Sequence, residues 1–100
     1  MVVLSDMAQI AIRSLLPEDR RRVAAAVSTL AAAAEAGQLP PVVRALRAPE
    51  GTFVMRVTSQ LRLFFSWRRG DGEVEVVVLD VATKDRINRL GRSRGTGAAA

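Results

Sequence analysis

Phe53-Val54-Met55-Arg56-Val57, then Thr58-Ser59-Gln60, then Leu61-Arg62-Leu63-Phe64-Phe65-Ser66-Trp67: this run decides the architecture. Both flanks alternate with a period of two, the repeat of side chains on a strand. Odd positions carry Phe53, Met55, Val57, Leu61, Leu63, Phe65 and Trp67, so one face of a hairpin is apolar. For those residues to share that face, odd must pair with odd, and a three-residue loop at Thr58-Ser59-Gln60 achieves this. Val57 then faces Leu61, Met55 faces Leu63, and Arg56 stands opposite Arg62 on the other face. A two-residue loop would pair Val57 with Arg62 and carry a charge into the core.

Two like charges directly opposed on a sheet cost roughly 0.2–1 kcal/mol, and this register supplies no acid to relieve them. One reading is a preorganised site for an anion, most naturally phosphate; the other is two solvated cations that point apart. Val54, Phe64, Val77 and Leu79 share the same face. Apolar groups beside paired charges on an uncovered face call for a cover, which is either a partner, bases stacked on Phe64, or the chain's own C-terminal segment.

Downstream, Arg69-Gly70-Asp71-Gly72 is a turn signal, and residues 73–81 (Glu-Val-Glu-Val-Val-Val-Leu-Asp-Val) alternate and then run almost continuously apolar, as a central strand does. A four-residue turn at 69–72 predicts Arg68 opposite Glu73 and Leu79 opposite Arg62. Lys84 to Leu90 has the length for one or two helical turns. Residues 91–100 hold no core positions and are expected to form a flexible tail, leaving 1–90 as the domain.

Upstream the period is 3.6. Val2-Val3-Leu4 reads as a short strand, and Ser5 or Asp6 caps a helix with Met7, Ile10, Ala11 and Leu15 along one face. Pro17 stops it and starts a second helix, with Glu18 and Asp19 at its positive end. Val23, Val27, Leu30, Ala31 and Ala34 form its narrow stripe, Gly37 ends it, and Pro40-Pro41 prevents resumption. The expected fold is α+β, ordered β-α-α-β-β-β: an antiparallel meander with a helical hairpin on one face and a short C-terminal helix.

With 100 residues, 49% apolar and 25% charged, the chain is one globular domain. It has no cysteine, histidine or tyrosine, so disulfide scaffolds, thiolate zinc sites and histidine general bases are excluded. No segment reaches the roughly 18 apolar residues of a membrane span, and a cytoplasmic protein is expected. The net charge of +5 is unevenly placed. Residues 1–43 balance, 44–69 carry six Arg against Glu50, 70–83 carry four acids and no base, and the remainder carries five bases against Asp85. Fourteen of the fifteen bases are Arg, the residue suited to bidentate phosphate contacts. Sixteen alanines fit an Arg-rich codon usage equally well, though codon usage does not account for the clustering.

In this order and spacing the chain resembles the RelE/ParE superfamily of type II toxins over roughly residues 5–90. The resemblance rests on the paired helices around Leu16-Pro17 and on Val43-Arg44-Ala45-Leu46-Arg47-Ala48-Pro49-Glu50-Gly51. It continues through Phe53 to Val57 and Leu61 to Phe65, and ends at Val77-Val78-Leu79-Asp80-Val81 before a basic segment. It implies a toxin neutralised by a small cognate antitoxin, the pair binding operator DNA only as a complex. RelE-like relatives cut mRNA in the ribosomal A site; ParE-like relatives poison DNA gyrase.

The RelE-like reading is the leading expectation, with the substrate's own 2′-hydroxyl as nucleophile and no metal or cofactor. The resemblance assigns catalytic places to Arg56, Arg62 and Lys84, and phosphate contacts to Arg44, Arg47 and Arg86. Departures are Val54 where some active members have Lys, Leu61 in place of the usual Tyr before Arg62, and Leu90 where a C-terminal Tyr would act. Arginine stays protonated and is a poor base, so Lys84 is the one conventional proton-transfer candidate among the cations; its alternative role is to cap the last helix or touch phosphate. The other expectations are a ParE-like, non-enzymatic gyrase inhibitor and a degenerate toxin that serves as antitoxin partner and co-repressor.

Overall fold

A computed structural model describes residues 1–87. The elements are β1 (Val2–Leu4), α1 (Asp6–Arg13), α2 (Pro17–Ala36), β2 (Val43–Ala45), β3 (Thr52–Arg56), β4 (Leu61–Arg69) and β5 (Val74–Thr83). They form an α+β fold whose five-stranded sheet has the order β1-β5-β4-β3-β2. β1 pairs parallel with β5 and every other pairing is antiparallel. The fifth strand, β2, is absent from the sequence expectation. Three residues bounded by Pro41 and a turn are too short to display a period, and only pairing with β3 (Val43 with Met55, Ala45 with Phe53) defines them.

The helices cover one face. Val23, Leu30 and Ala34 of α2 meet Met55, Leu61, Leu63, Phe65, Val74, Val76, Val78 and Val81 in the core, with Phe65 and Phe53 stacked at 5.7 Å between ring centroids. α2 ends at Gly37, whose φ of +70° lies in the left-handed region that favours glycine, and Arg69 Nη2 donates to the Gly37 carbonyl at 2.6 Å.

α1 is rotated from the expected face. Ala8 is fully buried and Ala11, Ile12 and Leu15 pack behind it, whereas Met7 and Ile10 are 63% and 62% exposed. The cause lies at the N-cap. Ser5 N–H donates to the Val78 carbonyl at 2.9 Å and Ser5 Oγ donates to the Leu79 carbonyl at 2.8 Å, which ties the first turn to β5 and turns Ala8 inward. The same hydroxyl accepts from Ala8 N–H at 3.1 Å. Ser5→Ala is expected to cost about 1 kcal/mol, typical of a lost cap, read as a lower urea midpoint at unchanged slope.

The 58–60 turn behaves as expected: Met55 pairs with Leu63, Arg56 with Arg62, and Val57 N–H donates to the Leu61 carbonyl at 3.0 Å. The next hairpin differs. Its turn spans 70–73, closed by Gly70 N–H donating to the Glu73 carbonyl at 2.7 Å, so Arg68 pairs with Glu75 rather than Glu73. A bulge then interrupts β5: Phe65 pairs with Val78 but Phe64 with Asp80, and Arg62 stands opposite Ala82 rather than Leu79. Leu79 is the inserted residue. The bulge lets Val74, Val76 and Val78 and then Val81 all reach the core, which an unbroken period of two forbids. Residues 84–87 form a helical turn. The remainder of the expected C-terminal helix, Leu90 and the expected tail at 91–100 lie outside the described residues.

Candidate functional site: a cationic cleft on the open sheet face

Pairing places the site row by row on the face away from the helices. Arg44, Val54, Phe64 and Asp80 form one row across β2, β3, β4 and β5. Arg56, Arg62 and Ala82 form the next. Lys84 N–H donates to the Gln60 carbonyl at 2.7 Å, adding a third row at the end of the β3–β4 hairpin. Without the bulge at Leu79, residue 84 would have the opposite parity and would face the helices. The bulge therefore delivers Lys84 to the face that carries the arginines.

The β2, β3 and β4 members of these rows, with Lys84, border a cleft of about 450 Å³, lined by Arg44, Arg56, Arg62 and Lys84, with Val42, Leu46, Val54, Phe64 and Ile87 as its apolar walls; Asp80 and Ala82 of β5 lie outside it. The two arginines thus open into one cavity. Among the described residues no carboxylate lines it, and the ion pairs lie elsewhere: Arg22 with Glu18 at 3.4 Å and Arg86 with Asp80 at 2.6 Å. Four cations around a concave surface with apolar walls raise the local concentration of a polyanion.

Arg62 is the most constrained of the four. Its Nη1 donates to the carbonyls of Thr58 at 2.8 Å, Leu61 at 3.1 Å and Ser59 at 3.4 Å, so the guanidinium lies over the β3–β4 turn. Among the described residues its Nε and Nη2 make no hydrogen bond. One edge of the plane is held by the protein while the other can take an anion.

Two other basic positions lie apart. Arg47 is exposed and outside the cleft lining. Arg86 is held by Asp80 and lines a separate groove between α1 and the end of β5, with Met7, Ile10 and Leu15. Val42 and Leu46 enter the site because β2 exists, and their role has no signal in the sequence beyond the β-branched pair Val42-Val43. Thr58 is placed in the loop by the sequence, but its hydroxyl, which accepts from the N–H groups of Gln60 and Leu61, carries no role there, although a Thr opening a hairpin loop is a known turn signal. Ile87, from the turn after β5, lines the cleft beside Phe64. Among the described residues no group of His, Cys, Asp or Glu side chains is placed to hold a metal ion, and no helix is long and apolar enough to cross a membrane.

No protein-family model and no curated protein matches the chain. Solved structures do. The YoeB/ParE toxin from Agrobacterium tumefaciens superposes with a TM-score of 0.64 at 14% identity, covering 82% of this chain and 96% of that one. A chain of the RelBE2 toxin–antitoxin complex from Mycobacterium tuberculosis superposes with a TM-score of 0.54 at 28% identity, covering 84% of this chain and 96% of that one. The first likeness is one of fold; the second extends to sequence.

Proposed function

We propose that the chain is a type II toxin of the RelE/ParE superfamily that binds a cognate antitoxin and, when free, cleaves ribosome-bound mRNA, a reading supported by its likeness to the two solved toxin structures. The observation that carries the nuclease reading is the convergence of Arg44, Arg56, Arg62 and Lys84 on one cleft that, among the described residues, no carboxylate lines.

The chemistry matches the side chains available. The 2′-oxygen of the mRNA attacks the adjacent phosphorus, the P–O5′ bond breaks, and a 2′,3′-cyclic phosphate and a 5′-hydroxyl result. The proton leaves the 2′-hydroxyl for water, and the departing 5′-oxygen gains one. Negative charge accumulates on the phosphoryl oxygens in the transition state, where fixed cations are strongest in effect. Arg56 and Arg62 hold the scissile phosphate, while Arg44 and Lys84 assist and take flanking phosphates. Phe64 in the wall offers a surface for a nucleobase. Catalysis of this kind needs no protein nucleophile.

Purified protein is expected to cut mRNA in the A site of programmed ribosomes and to leave gyrase supercoiling unchanged. Intact mRNA at saturating protein would rule the nuclease out. A second reading, a ParE-like gyrase inhibitor, draws on one observation: the chain has no Tyr and no His for proton transfer. Inhibition of supercoiling by micromolar protein, with mRNA left whole, would select it.

A further inference from the structure

We infer that the β3–β4 turn is the positioning device of the cationic cleft, and that the Thr58 hydroxyl is its keystone. The inference rests on reading the cleft as the site of mRNA cleavage, and it assigns a role to an uncharged residue outside the cleft lining.

Three sets of bonds converge on residues 58–61. Thr58 Oγ1 accepts from the backbone N–H of Gln60 and of Leu61, both at 3.1 Å, which closes the turn on itself. The carbonyls that this closure orients, those of Thr58 and Ser59, are two of the three acceptors that hold Arg62 Nη1. The Gln60 carbonyl accepts from Lys84 N–H at 2.7 Å, so the same turn anchors the segment that carries the fourth cation. One hydroxyl thus organises the support of both Arg62 and Lys84.

The physical need is specific. A guanidinium on a long flexible stem must lose its rotamer freedom before it can stabilise a transition state, and a rigid support removes that loss from the reaction step. Arg56, directly opposite, repels Arg62, so an unsupported Arg62 would swing toward water. The bonds to the turn hold it against that repulsion.

Thr58→Val keeps the branched shape and deletes the acceptor; Thr58→Ser keeps the acceptor. For Thr58→Val, mRNA cleavage on programmed ribosomes is expected to lose about tenfold in kcat with little change in KM, as a slightly misplaced catalytic group does. Thr58→Ser is expected to restore it. The second readout is nitrogen-15 NMR of the arginine side chains. Rotation about the Arg62 Nη bonds is expected to be hindered in the wild type and in Thr58→Ser, and fast in Thr58→Val. Wild-type kcat in Thr58→Val, or Arg62 Nη rotation still hindered there, overturns the inference. A wild-type protein that cuts no mRNA overturns the nuclease reading instead, and the Arg62 signal then decides the positioning by itself.

Discussion

Replacing Arg62 by alanine is expected to lower mRNA cleavage by about 10²–10³-fold, the loss seen when one preorganised charge-stabilising donor is removed. Arg62 lines the cleft, with Arg56 directly opposite and its Nη1 committed to the β3–β4 turn. The fold should survive, because the guanidinium bonds to turn carbonyls at the surface and supports no core side chain. Arg56→Ala separates function from stability most cleanly. It removes one member of a like-charged cross-strand pair, so stability is expected to rise by roughly 0.2–1 kcal/mol while cleavage falls. That opposition, read from thermal melts beside ribosome assays, distinguishes a site maintained at a cost in stability from two idle surface cations. Equal cleavage by wild type and Arg62→Ala would remove Arg62 from the mechanism.

The largest stability effect is expected at Phe65. It is fully buried at the centre of β4, stacked on Phe53, and belongs to a core cluster to which both helices and strands β3, β4 and β5 contribute. Phe65→Ala should cost about 3–5 kcal/mol through lost transfer energy and the cavity left behind. A domain of this size has total stability of the order of 5–15 kcal/mol. The variant is therefore expected to melt near working temperature, with its circular dichroism transition shifted far below that of the wild type. A shift of only a few degrees would mean that the two helices close over the gap.

Particular elements separate what was legible in the chain from what was not. The β3–β4 hairpin was readable because seven odd-numbered apolar residues demand a single face, and the three-residue loop meets that demand where a two-residue loop does not. The opposition of Arg56 and Arg62 followed from it. The second helix was equally readable, since Pro17 and Gly37 mark its ends by backbone chemistry rather than by context. The face of α1 was not, because Met7 and Ile10 match Ala8 and Ile12 in apolar character. The bonds of Ser5 to β5, seventy-odd residues away, decide between them.

Local periodicity and turn chemistry were enough to determine an α+β chain with a helical hairpin, a meander and a like-charged pair on its open face, because these depend on neighbours a few residues apart. The membership of the cleft was a tertiary decision. A bulge at Leu79 reverses the parity of β5 and brings Lys84 beside the arginines, β2 contributes Arg44 only by pairing with β3, and Asp80 holds Arg86 away from the cleft. Periodicity registers the average alternation of a strand and is blind to a single inserted residue. The gain from burying Val78 and Val81 on the same face selects that insertion, and this gain exists only once the strand is packed beneath the helices.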